Sequence, residues 1–150
     1  MTFKKIINHF SDISAAHFHD IVALRIKIFV IEQNCPYQEL DGKDKDAIHL
    51  YYMDSEDTVV AATRILPAQI SYKEVSIGRV VVAEELRGTG LGHELMKQSM
   101  LCVKAQFGNV DVRLSAQKHL EHYYEKHGFK STGKEYLEDG IPHVEMLYQS

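Results

Sequence analysis

Val80-Val81-Val82-Ala83-Glu84-Glu85-Leu86-Arg87-Gly88-Thr89-Gly90-Leu91-Gly92 decides the fold: a β-branched strand runs into a glycine-rich turn, and a helical pattern opens directly after it. Glycine lets the backbone approach a ligand closely. The first N–H groups of a helix lack intrahelical acceptors and sit at the positive end of its dipole. The stretch therefore predicts a phosphate cradle and a ligand that carries a pyrophosphate. A Walker A loop does not fit, because it needs Gly-Lys-Ser/Thr, whereas Gly90 and Gly92 are followed by Leu91 and His93. A dinucleotide fingerprint does not fit either: the glycines read Gly88-x-Gly90-x-Gly92 and lie past the middle of the chain.

Arg87-Gly88-Thr89-Gly90-Leu91-Gly92 resembles, position by position, the Arg-x-x-Gly-x-Gly pyrophosphate loop of the GCN5-related N-acetyltransferases (GNAT family). Further on, Leu114-Ser115-Ala116-Gln117 leads into Tyr123-Tyr124-Glu125-Lys126-His127-Gly128-Phe129, which is similar to that family's second signature, Tyr-x-x-x-Gly-Phe. The two signatures cover the C-terminal half. Leu24 to Asp44 and the hairpin Gly140-Ile141-Pro142-His143 look like the ElaA-like branch, which extends the likeness over nearly the whole chain.

The resemblance implies an α/β fold: a mixed, mostly antiparallel sheet flanked by helices, with a splayed central strand pair that binds a pantetheine arm like an added strand. Acetyl-CoA is the implied co-substrate. Val80 and Val82 would pair with it, the backbone of Arg87, Gly88, Thr89, Gly90, Leu91 and Gly92 would grip it, and Ala116 and Gln117 would line it from the facing strand. Direct transfer to an amine needs a neutral nucleophile, stabilisation of the oxyanion and a proton for the departing thiolate. Tyr124 matches the family tyrosine and is the candidate acid. An unperturbed tyrosine titrates near ~10 against ~8.5 for a cysteine-like thiol, an uphill step of about 2 kcal/mol. Tyr123 would point elsewhere, to the core or the rim.

The general base has no fixed place in the family. Glu32, Glu39, Asp41, His49 and His143 are candidates. Arg25, Glu32 and His143 are the candidate acceptor-binding residues, and with the acidic loop they suit a small, polar, cationic amine; an Arg25–acid structural pair explains Arg25 equally well. A protein amino group is the other acceptor considered. Two rival functions carry over from the same residues. Arg25-x-x-x-Phe29 has the spacing of an acyl-homoserine-lactone synthase, but the tryptophan expected soon after is absent from a chain with none. A non-catalytic acyl-CoA sensor would keep the cradle without turnover.

Bulk properties agree with a small enzyme. A chain of 150 residues with 45% hydrophobic content suits one domain spanning 1–150, and no linker is visible. The start, Met1-Thr2-Phe3-Lys4-Lys5 and Ile6-Ile7, is too short for a signal-peptide core, and no apolar run spans a bilayer, so a cytoplasmic protein with no membrane partner is expected. A net charge of −4 argues against nucleic acid. Cys35 and Cys102 are expected to be reduced thiols. Among nine histidines, His119, His122 and His127 and the pair His17 and His19 invite a metal reading, but neither set brings cysteines or H-E-x-x-H, so no metal is expected. The sequence leaves open whether the chain forms a homodimer through an edge strand.

Periodicity places strands at 3–8, 48–53, 58–66, 75–82 and 110–115 and a closing pair at 130–137 and 144–148 around Asp139-Gly140. Helices are expected at 14–32, capped by Asp12 or Ser14, at 89–107 with Met96, Met100, Val103 and Phe107 inward, and at 117–127.

Overall fold

The computed structural model describes residues 2–150; Met1, which opens the N-terminal segment read above, lies outside the described residues. Strands β2 (Ile48–Met53) and β3 (Val59–Leu66) are buried at every position, so both faces of the sheet's centre must be covered. Neighbouring β3 residues point to opposite faces. The Thr63 hydroxyl meets the Ser99 hydroxyl of helix α2 (Leu91–Phe107) at 2.9 Å, while Arg64 lies 3.5 Å from Asp44, which also binds Arg25 of helix α1 (Ala15–Arg25). The two helices thus sandwich the sheet.

With β1 (Lys4–His9), β4 (Val75–Val82), β5 (Val112–Gln117), β6 (Lys130–Glu138) and β7 (Ile141–Tyr148), the sheet has seven strands in the order β1-β2-β3-β4-β5-β7-β6. Every neighbouring pair is antiparallel except β4 and β5. Those two pair only at Val75 with Val112 and Ser76 with Arg113, and beyond that they diverge. This is the expected mixed, mostly antiparallel sheet with a splayed central pair. A β-bulge assists the divergence: between the Ala62–Val81 and Arg64–Gly78 pairs, β3 has one residue and β4 has two, Arg79 and Val80. Arg79 sits at φ 50, a left-handed conformation that costs a side-chain-bearing residue on the order of 1–2 kcal/mol.

A buried ionic cluster holds Arg79 there. Glu39, 4% exposed, accepts from Arg25 Nε at 2.6 Å, Arg79 Nε at 2.8 Å and the Tyr37 hydroxyl at 2.6 Å. Asp44 takes both terminal nitrogens of Arg25 at 2.8 and 3.1 Å, and Asp41 takes both of Arg64 at 2.8 and 3.0 Å. Three guanidinium groups and three carboxylates interleave, which keeps each desolvated charge beside opposite ones.

Several boundaries depart from the sequence expectation. The first helix is capped by Ser14, whose hydroxyl accepts from His17 N–H at 3.0 Å. It stays α-helical only to Arg25 and continues as a π-helix over Ile26–Glu32, closed by the i to i−5 bond from Gln33 N–H to Ile28 O at 3.3 Å. The buried face of α2 is Leu95, Met96, Ser99, Cys102 and Val103, with Met100 and Phe107 at its margin. The expected 117–127 helix is shorter: β5 extends to Gln117, a 3-10 turn covers Lys118–Leu120, and helix α3 is only Glu121–Glu125. Gly128 follows at φ +91, with the Tyr148 ring 3.0 Å from where a Cβ would stand. Both cysteines are free and buried. Among the described residues no helix is long and apolar enough to cross a membrane.

Removing one member of the cluster leaves its partners charged and buried, so Arg25→Met is expected to lower unfolding free energy by about 3–5 kcal/mol in denaturant titrations. Burial alone would raise the Asp41 pKa, but hydrogen bonds from Arg64 and the Lys43 N–H outweigh it and lower it to about 2. Asp44 is also lowered, Arg25 outweighing its burial. Their stabilisation is complete above the unfolded value of about 4 and should drain away as pH falls from about 4 toward 2, which acid titration of the fold will read.

Candidate active site

The gap between β4 and β5 opens into a cavity of about 540 Å³. Ser76 to Val80 line it from β4, Ser115 and Gln117 from β5, and Tyr124 from α3. Phe29 from the π-helix, Gln33 just beyond it, Tyr37, Asp41 and Lys43 from the following segment, Arg64 from β3, and Glu138 and His143 from the β6–β7 hairpin add to the wall. Tyr124 is 6% exposed, and its hydroxyl has no hydrogen-bond partner among the described residues. Burial, with Tyr123 beside it, pushes its phenol well above the ordinary tyrosine value, so it stays a protonated donor.

The cradle lies at the end of β4. Gly90 caps α2 at φ +90 and Gly88 sits at φ +79, conformations that explain both glycines, while a Cβ at either would meet nothing within 4 Å. Gly92 is a different case: it has no positive φ, and its Cβ would lie at ordinary contact distance, 3.7 Å from the Tyr123 ring and 3.8 Å from Val82. Among the described residues, the N–H groups of Gly88, Thr89, Gly90, Gly92 and His93 find no protein acceptor. They are the fixed donors an anion would meet.

Matches to known proteins agree with this geometry. The acetyltransferase (GNAT) domain family matches residues 15–150. The chain belongs to the GNAT acetyltransferase family. ElaA of Escherichia coli is 38% identical over 139 residues, covering 92% of this chain and 91% of that protein. Its crystal structure superposes with a TM-score of 0.92 at 36% identity over 99% of this chain and all of the other, 100%. An acyl-CoA N-acyltransferase from Pseudomonas aeruginosa superposes at 0.93, with 37% identity over 98% and 99% of the two chains. An aminoglycoside 6'-N-acetyltransferase complexed with coenzyme A shares the fold at a TM-score of 0.70, 16% identity and 95% coverage of each chain.

Within this GNAT frame the anticipated residues divide. Val80, Gln117, Tyr124 and His143 meet at the cavity. Val82 stands at the cradle's base beside Gly92. Leu91 departs from expectation as a cradle donor: its side chain is buried and its N–H turns back to the Thr89 hydroxyl at 3.4 Å. Thr89 in turn gives its hydroxyl to Leu86 O at 2.6 Å and shapes the turn. Ala116 faces the core, 1% exposed. Arg25 is not an acceptor contact, because it is 1% exposed and spent on Glu39 and Asp44. Glu32 lies outside the cavity wall and pairs with Arg87 at 2.6 Å.

Three further arrangements went unread in the sequence. Tyr123 donates to the Gly92 carbonyl and clamps the first turn of α2. His127 pairs with His93 at 2.9 Å, not with His119 or His122; burial, then His93, depresses its pKa. Glu138 joins the cavity wall beside His143. Only the last had a local signal, since a two-residue turn at Asp139-Gly140, both at positive φ, sets Glu138 opposite Ile141 and Tyr136 opposite His143.

An anion held at the cradle would compete with Glu32 for Arg87. Glu32→Gln should therefore tighten coenzyme A binding two- to five-fold, about 0.5–1 kcal/mol for a part-exposed pair, in calorimetric titration at low salt.

Proposed function

We propose that this chain transfers an acetyl group from acetyl-CoA to the amine of a small polar acceptor by direct attack. The observation that carries the reading is the β4–β5 gap: the strands pair only at Val75 with Val112 and Ser76 with Arg113, a cavity that Tyr124 helps to wall opens where they diverge, and the free cradle donors follow the end of β4. In that frame the pyrophosphate lies on the N–H groups of Gly88, Thr89, Gly90 and Gly92 and beside Arg87. The pantetheine arm takes the strand position that β5 vacates beside Val80 and Val82. The thioester then arrives between Val80 and Gln117, next to Tyr124. GNAT membership and the coenzyme A bound to a protein of the same fold support the cofactor.

Bound acetyl-CoA supplies the activated acyl group; the rest of the chemistry belongs to the chain. Tyr124 offers its O–H to the sulfur as negative charge collects there. Because burial raises its pKa, full proton release is costlier than for a free tyrosine, and the contribution is a hydrogen bond that strengthens as the C–S bond breaks. The cavity's acceptor side carries the carboxylates of Glu138 and Asp139, a setting for a cationic amine.

Acetyl-CoA should bind the wild-type chain in calorimetry and lose binding in Gly90→Glu, where a side chain meets a φ of +90 and adds negative charge. No wild-type binding would overturn the reading. Tyr124→Phe should lower turnover by about 10²-fold or more while sparing cofactor affinity, and unchanged turnover would remove its role. Mass spectrometry of products with and without S-adenosylmethionine separates transfer to an ordinary amine from lactone synthesis and from binding without turnover.

A further inference from the structure

Amine attack needs a proton acceptor, and the structure disposes of most candidates. Glu39 is buried under three donors, and Asp41 is held by both terminal nitrogens of Arg64 with a pKa near 2. His49 turns Nε2 to Asp44 O at 3.1 Å, and its Nδ1 is sealed from the cavity. Glu32 is outside the cavity wall.

His143 differs from all of these. It stands opposite Gln117 on one side and Tyr136 on the other, so the three share one face across β5, β7 and β6. Its Nδ1 lies 2.7 Å from the Ile141 carbonyl. A carbonyl only accepts, so Nδ1 carries the proton, and in the neutral ring Nε2 holds a lone pair. That Nε2 lies 3.4 Å from Glu138 Oε2 without hydrogen-bond alignment, and the side chain, 8% exposed, lines the cavity. Glu138 is itself fixed as an acceptor: the Tyr136 hydroxyl lies 2.5 Å from Ser115 Oγ, which in turn lies 3.4 Å from Glu138 Oε1. A lone pair thus faces a carboxylate across a slot that a proton would fill.

We propose that His143 is the general base of the transfer, with Glu138 as its positioning residue; the assignment rests on the transferase reading above. Nε2 takes one proton from the substrate ammonium, and the resulting imidazolium is met by Glu138. The freed nitrogen lone pair forms the C–N bond as the carbonyl π pair moves to oxygen. On collapse the C–S pair leaves with sulfur, steadied by the hydrogen bond from the Tyr124 hydroxyl, and the second amine proton passes to the thiolate through solvent. Amide and free thiol result, and His143 returns its proton to solvent.

The first test compares two nucleophiles, read by thiol release from acetyl-CoA: 1,3-diaminopropane, protonated at neutral pH, and hydroxylamine, which is already neutral there. His143→Asn keeps a donor for Ile141 O and removes the base. It should lower transfer to the diamine by about 10²-fold or more, lower transfer to hydroxylamine by a few-fold at most, and leave coenzyme A binding unchanged. Equal losses with both nucleophiles, or no loss with the diamine, would overturn the assignment. The second test, on the wild-type chain, is the tautomer by nitrogen-15 NMR: the neutral ring should be protonated at Nδ1, and protonation at Nε2 would overturn the proposal whether or not the variant folds. A wild-type chain that binds acetyl-CoA but releases no thiol to either nucleophile would count against the transferase reading, while the tautomer would still decide for or against His143.

Discussion

Glu39 is the point on which the site depends. One carboxylate, almost wholly withdrawn from water, ties α1 through Arg25, the loop after the π-helix through Tyr37, and the β4 bulge through Arg79. Without that tie the left-handed Arg79 would have little reason to persist, and an extended β4 could run on beside β5 and close the gap. The ionic cluster's cost in desolvation is offset by mutual pairing, and its return is a sheet held open at its centre.

Openness is useful only because its rim is rigid. Tyr123 anchors the first turn of α2 through the Gly92 carbonyl. The free N–H groups of the cradle are therefore fixed before any ligand arrives, which lowers the ordering cost of binding. Arg87 is the exception in this rigid rim: it reaches across to Glu32, the last residue of the π-helix whose Phe29, with Gln33 just beyond its end, walls the cavity. That exposed pair links the cradle to the segment that walls the cavity.

The cavity's charges have separate roles. Arg64 and Arg79 are neutralised by Asp41 and Glu39 and serve as scaffold, Lys43 reaches the Ser71 hydroxyl, and Glu138, Asp139 and His143 stand at the hairpin with fewer commitments. The proposed chemistry falls to groups the fold has not already spent. Tyr124 and His143 are such groups, one a donor without a partner and the other a ring with one nitrogen engaged.

The sequence by itself determined the elements and the cradle, because those depend on local rules. Alternation placed β2 and β4 at their observed bounds, the glycine-rich turn announced a helix directly after it, read from Thr89 where α2 begins at Leu91, and Asp139-Gly140 announced the hairpin. Tyr124 was legible through its spacing from Gly128-Phe129. Tertiary structure alone decided which charges were scaffold and which were free. Arg25 and Glu39 are 14 residues apart and Arg79 a further 40 from Glu39, and no periodicity relates side chains that meet only when a loop folds over a sheet. The same holds for Glu32 with Arg87 and His93 with His127, pairs set by how helices end against one another rather than by any local pattern.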